Sequence, residues 1–193
     1  MRKTVIATVL ILALSGLIYG QGATITGTAV IYGSGMNTRT TTRLFTLRIN
    51  GTTSPRDAAS YLSTLASGGQ DALRDALHKN DLGRFSLGGN IGEPLEAVVI
   101  DQVDGKTRIR AVFERWVGFG EIRGGYRSVD YPFGYVEVFV DPRTGRGEGT
   151  FIPAARIRFR SGKNGGADQV EIEDFGTFPG RLIGVQMRGS VPR

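Results

Sequence analysis

The chain has 193 residues, of which 40% are hydrophobic and 22% are charged, and it contains no cysteine. The lack of cysteine excludes disulfides and thiolate metal sites, so the fold must be held together by packing. There are 24 basic and 18 acidic residues, a formal net charge of +6 that falls to +4 if Arg2 and Lys3 are removed with a leader. This balance is too mild to predict a nucleic-acid partner.

The N-terminal residues 1–22 have the pattern of a secretory signal peptide. Arg2 and Lys3 precede an apolar run from Val5 to Ile18, which small residues follow. The run is shorter than the roughly 20 residues that a spanning helix needs, so we expect cleavage, after Gly20, Gly22 or Ala23. Residues 23–193 are then expected to form one domain in the periplasm or outside a bacterial cell, with membrane contact only through an uncleaved leader.

Two strands and a helical pair are predicted next along the chain. Ala23–Tyr32 and Thr41–Ile49 have the alternation of half-buried strands. Ser54 and Pro55 are typical of a helix start, and the following segment carries an apolar stripe until Gly68-Gly69. Residues 70–79 predict a second, shorter helix. Two amphipathic helices therefore follow the second strand and are expected to pack on an apolar surface.

The remainder of the chain is predicted to be antiparallel. Leu95–Val103 and Lys106–Arg115 flank Asp104-Gly105, the dipeptide that suits a two-residue hairpin turn. Further strands are predicted at Gly134–Val140, Thr150–Arg160, Gln169–Phe175 and Arg181–Met187. The connections are too short for parallel crossovers. We therefore predict an α+β fold: a bent antiparallel sheet or partly open barrel of about seven or eight strands, with the helical pair inserted after the second strand.

Charged residues alternate with apolar ones along the predicted strands. Arg108 and Arg110 share one face of their predicted strand. The arginines at 156, 158 and 160 share one face of another strand, and the glutamates at 171 and 173 share one face of a third. The inner face would carry Ile109, Ala111, Phe113, Ile157, Phe159, Val170 and Ile172. This pattern indicates a solvated outer face with cross-strand ion pairs, with an anion-binding surface as the alternative.

The chemical motifs in the sequence fix no reaction. His78 is the only histidine, so no multi-histidine metal cluster can form, and its place on the predicted helix favours a solvated side chain. Asp174-Phe175-Gly176 matches a kinase tripeptide without the other kinase motifs. Neither a cofactor nor a metal site is predicted.

Aromatic and basic residues concentrate between two of the predicted strands, in a segment that also contains several glycines. Aromatic rings with arginines can stack on a sugar or a base, although they can equally form the core and rim of a turn. If the protein has a binding site, we expect it here, at Trp116, Arg123, Tyr126, Arg127, Tyr131 and Phe133.

Three segments carry a resemblance to known proteins. The chain resembles exported bacterial single-domain proteins of unknown function at Tyr131-Pro132-Phe133-Gly134, at residues 147–154, and at residues 173–179 with Arg181-Leu182. The resemblance implies export and a single domain. It implies no activity and no functional residue.

Three functions remain open at this point. The first is a non-catalytic binding or interaction module of the cell envelope or exterior, engaging a protein, a glycan or a small ligand. The second is a carrier of a small apolar ligand with an internal cavity, because the order of elements resembles helix-grip or small-barrel carriers. The third is a hydrolase that uses two carboxylates, such as Glu93 with Glu96 or Asp101 with Asp104.

Overall fold

The computed structural model describes residues 22–32, 39–115, 130–161, 169–175 and 179–192. In these ranges the chain forms, in order, β1 (Ala23–Ile31), β2 (Thr41–Ile49), α1 (Pro55–Leu77), β3 (Gly83–Leu87), β4 (Glu93–Val103), β5 (Lys106–Glu114), β6 (Phe133–Val140), β7 (Arg146–Arg160), β8 (Gln169–Asp174) and β9 (Gly180–Arg188). Residues 1–21 of the predicted signal peptide lie outside them. Within the described ranges, no helix has both the length and the apolar character needed to cross a lipid bilayer.

Eight of the strands close into an antiparallel barrel. Their order around the barrel is β1-β2-β3-β4-β5-β6-β7-β9, and β9 pairs back with β1. The ninth strand, β8, extends the sheet beside the second half of β7, at residues 155–160. The antiparallel prediction is confirmed. The partly open barrel is wrong, because the first half of β7 pairs with β6 along one edge and with β9 along the other and so closes the ring.

The barrel interior is filled by apolar side chains at alternate strand positions. Phe85 is fully buried, and its ring centroid lies 5.2 Å from those of Phe113 and Phe151 and 6.1 Å from that of Phe45. The predicted inward residues of β5, Ile109, Ala111 and Phe113, are all buried here. Tilted aromatic contacts at these distances are favourable beyond their buried area.

A second core lies outside the barrel, between α1 and the sheet. Leu65, Leu73 and Leu77 of α1 are buried there. The sheet contributes Phe133, Tyr135, Ile152, Ala155 and Ile157. A register shift between β6 and β7 gives Ile152 and Ala155 the same outward face, so that the second half of β7 packs on the helix rather than in the barrel.

The prediction of two separate helices is wrong in one respect: residues 55–77 form one helix, α1, with a kink. Gly69 has φ 72° and ψ −168°, a non-helical conformation open to glycine, and the helix resumes at the next residue. The helix folds back at this kink. A hydrogen bond between the segments that flank α1 shows this: the N–H of Gly51 donates to the carbonyl of Leu82 across 3.1 Å. The two ends of the helical segment therefore lie side by side.

Charged residues of β7 and β8 form the predicted cross-strand pairs, on the sheet face opposite the one that packs on α1. Arg158 contacts Glu173 at 3.0 Å and Arg160 contacts Glu171 at 2.8 Å. Val170, predicted to point inward, is 49% exposed because β8 lies at the edge of the sheet, beyond the ring.

Candidate functional site

The candidate site begins at a bulge in β4. Leu95 pairs with Phe113 and Ala97 with Val112, so two steps along β4 face one step along β5, and Glu96 is the extra residue. A bulge of this kind re-aims a side chain that regular alternation would place elsewhere. The result is unusual for a carboxylate, because Glu96 is only 2% exposed.

Hydrogen bonds fix the end of α1 against this bulge. The side-chain amide of Asn80 donates to the carbonyl oxygen of Glu96 at 2.9 Å and to the hydroxyl of Tyr61 at 2.8 Å. The N–H of Leu82 donates to the carbonyl of Leu95 at 2.9 Å. The chain that leaves α1 therefore runs along β4, which brings His78, the C-terminal cap of the helix, to Glu96.

Three side chains meet at this point. His78 Nδ1 lies 4.0 Å from Glu96 Oε1 and 3.8 Å from Glu114 Oε2, and the three ligand atoms lie within 4.8 Å of one another. The side chains of His78 and Glu114 are 70% and 52% exposed, so the cluster opens to solvent on one side. We call His78, Glu96 and Glu114 the triad.

The surroundings of the triad disfavour ionisation of Glu96. Burial, repulsion by Glu114 and a weaker repulsion by Glu93 raise the pKa of Glu96 to about 7, with Arg74 acting in the opposite direction. Burial and repulsion by Glu114 also raise the pKa of Glu93, although Arg84 lowers it. The C-terminal end of α1 adds a partial negative charge. A cation placed among these groups would relieve the repulsion.

One buried oxygen at the triad lacks a hydrogen-bond partner. Glu96 Oε2 has none among the residues that the structure describes. A buried polar atom left without a partner costs about 1–3 kcal/mol, and more for a charged group. This oxygen belongs to the most buried side chain of the triad and can accept a ligand without first losing a protein contact.

The donor set favours particular cations. One imidazole nitrogen and two carboxylate oxygens suit Zn²⁺ and similar first-row divalent ions, whereas Ca²⁺ takes six to eight oxygen ligands. Tetrahedral bonds of about 2.0–2.1 Å place two ligand atoms roughly 3.3 Å apart. The observed separations are somewhat larger, and rotation of the exposed His78 and Glu114 side chains can shorten them. Three protein ligands would leave a coordination position open.

The aromatic residues predicted as a binding site are placed only in part. Trp116, Arg123, Tyr126 and Arg127 lie outside the described residues. The Tyr131 hydroxyl contacts Glu173 at 3.3 Å and its ring meets that of Phe175 edge-on at 5.0 Å. Phe133 is fully buried in the second core. The binding role of this segment stays a prediction.

The two predicted carboxylate pairs have different surroundings. Asp101 forms ion pairs with Arg108 and Arg110, which lower the pKa of its carboxyl. Asp104 lies in the hairpin turn with φ 50°. Glu96 and Glu93 instead lie in one acidic cluster with Glu114. Sequence reasoning missed Glu114 and His78 as its neighbours. The available signal was Glu96 itself, a charge within the apolar run from Leu95 to Ile100.

Comparisons with protein-family models, with curated proteins and with solved structures find no match to this chain. The triad must therefore be interpreted from its own chemistry.

Proposed function

We propose that the protein is an exported binding module whose ligand is a divalent transition-metal ion held by His78, Glu96 and Glu114, with Zn²⁺ as the best fit. The observation that carries the proposal is the buried, unpartnered Oε2 of Glu96 in a cluster of repelling carboxylates. Export rests on the sequence pattern of residues 1–22. The interior of the barrel is filled by phenylalanines, so we place the ligand on the outside, under the end of α1.

A metal ion would satisfy several needs of this site at once. It would give Glu96 Oε2 a partner, it would offset the repulsion between Glu96 and Glu114, and it would lie at the negative end of the helix. Each ligand comes from a different element: α1, β4 and β5. Metal binding would therefore cross-link the helix to the barrel and stabilise the fold.

The direct test is calorimetric titration of ZnCl₂ into protein freed of metal with a chelator. We expect one ion per chain and a rise in the unfolding free energy of about 2.7 kcal/mol at a free Zn²⁺ concentration of 100 times Kd. Glu96→Gln and His78→Ala should each weaken binding by 100-fold or more. Glu148→Gln removes an exposed carboxylate elsewhere and is the matched control.

Two results would contradict the proposal. One is equal Zn²⁺ affinity in the wild type, Glu96→Gln and His78→Ala. The other is no saturable binding to a folded wild-type protein. A visible absorption spectrum with Co²⁺ in place of Zn²⁺ adds a second readout, because intensity in that region reports a tetrahedral site with protein ligands.

A metal-independent hydrolase is the second candidate. A buried Glu96 beside a half-exposed Glu114 gives two carboxylates in different environments, as general acid–base catalysis requires. This candidate predicts activity on a glycoside or ester in the presence of a chelator, lost in both Glu96→Gln and Glu114→Gln. The metal-binding proposal predicts no such chelator-resistant activity.

A further inference from the structure

An apolar crevice borders the triad, in the angle between the two halves of α1. Its volume is about 200 Å³. The helix lines it with Ala58, Tyr61, Leu62, Leu65, Leu73 and Leu77, and most of its floor comes from outward-facing residues of the sheet, including Ala97, Val99 and Val112. The crevice is therefore a solvent-open gap in the second core, lined by residues from both sides of the kink at Gly69.

The crevice and the triad are parts of one surface. Each triad residue has a close neighbour in the crevice wall: Leu77 precedes His78, Ala97 follows Glu96, and Val112 shares the outer face of β5 with Glu114. Asn80 also connects the triad to the crevice, because its side-chain amide donates hydrogen bonds both to the carbonyl of Glu96 and to the hydroxyl of the crevice residue Tyr61. An apolar surface thus leads directly to a polar site.

From this continuity we infer that the ligand of the metal-loaded protein is a small amphiphile. Its anionic oxygen head completes the coordination of the ion, and its aliphatic or aryl tail occupies the crevice. The inference rests on the proposed metal site, since without the ion the carboxylates of Glu93, Glu96 and Glu114 would repel an anionic head. The volume corresponds to about seven water-sized groups, which sets the tail at roughly six to eight carbons.

Chain length provides the test. We would titrate the Zn²⁺-loaded protein with acetate, butyrate, hexanoate, octanoate and decanoate. Affinity should rise by about fourfold for each methylene buried and should level off when the crevice is full, near hexanoate or octanoate. The same acids should bind the metal-free protein at least tenfold more weakly.

A pair of neighbouring alanines supplies matched variants. Ala58 lines the crevice, whereas Ala59 is exposed. Ala58→Leu should make the affinity level off at a shorter acid, with Zn²⁺ affinity unchanged. Ala59→Leu should behave as the wild type.

The outcomes separate the two proposals. If Zn²⁺ binds at the triad but affinity for the acids does not depend on chain length, the crevice inference is overturned and the metal site stands. If the metal-free protein shows the same chain-length dependence and affinity as the loaded one, the tail binds without a metal-held head, and the amphiphile inference is overturned. If no Zn²⁺ binds, the metal proposal fails as well.

Discussion

Replacing Glu96 by glutamine is expected to remove a pH dependence of stability that this one side chain creates. The unfolded chain exposes the carboxyl, whose ordinary pKa is 4.5, whereas burial and repulsion by Glu114 raise the pKa to about 7 in the folded protein. Glu93 adds to the repulsion, and Arg74 reduces it. His78 faces the same carboxylate from the end of α1.

The sign follows from proton counting. Between pH 4.5 and about 7 the folded protein holds this proton and the unfolded chain has lost it, so the free energy of unfolding falls as pH rises. The slope approaches 1.4 kcal/mol per pH unit, which gives a total loss of about 3 kcal/mol between pH 4 and pH 8. Glutamine carries no charge in either state and removes this contribution. In a domain of this size, 3 kcal/mol corresponds to about 6–12 °C in Tm.

The measurement is urea unfolding followed by circular dichroism at pH 4, 5, 6, 7 and 8, with a chelator present throughout. Wild type and Glu96→Gln should have similar stabilities at pH 4, and the variant should be more stable by about 3 kcal/mol at pH 8. Titrating groups that do not interact with Glu96 are common to both proteins and cancel in the difference. Glu148→Gln, at an exposed carboxylate, should follow the wild type. Parallel profiles for wild type and Glu96→Gln would refute the reasoning.

Three further substitutions test the packing and ion pairs of the barrel. Phe85→Ala, at the centre of the interior, should lower the unfolding free energy by about 3–5 kcal/mol in urea titrations, and a loss below 1 kcal/mol would mean that the interior is not packed as described. Gly134→Ala should cost about 1–3 kcal/mol, since the added methyl group would overlap the ring of Phe113, and an unchanged Tm would exclude that contact. Asp101→Asn should cost about 1 kcal/mol or less at pH 7, because its pair with Arg108 is partly exposed. The difference should begin to shrink as pH falls below 3.8, the ordinary pKa of the carboxyl in the unfolded chain, and should vanish once the folded carboxyl is protonated as well; a constant difference down to pH 2 would contradict the lowered pKa of Asp101.

Local pattern was enough to predict most of the strands. The bounds of β2 agree residue for residue with Thr41–Ile49, and Asp104 and Gly105 have the positive φ angles, 50° and 75°, that the hairpin prediction requires. These features depend on alternation and on turn chemistry, which neighbouring residues determine. The five-residue β3 was missed as a separate strand, because only Phe85 and Leu87 mark its inner face.

Closure of the barrel could not be predicted in the same way. It depends on the first half of β7 pairing with β6 along one edge and with β9 along the other. The pairing of the second half with β8, and the register shift that turns Ala155 towards the helix, also depend on distant residues. A straight strand was assumed from Thr150 to Arg160, and alternation alone gives no sign of a bulge. Such long-range pairings are chosen by the whole fold rather than by the sequence of one strand.

The triad shows why this site was harder to find than the fold around it. Glu96 breaks the apolar pattern of β4, Gly69 interrupts the helix, and the C-terminal end of α1 lies beside the carboxylates of Glu96 and Glu114. Each feature alone destabilises the fold. Sequence-based prediction assumes that residues favour the fold, so it has no means of predicting such features. Together they place His78, Glu96 and Glu114 within 4.8 Å and leave a crevice beside them. Features that oppose stability separately but converge on one place are better explained by a ligand that offsets them than by independent accidents of packing.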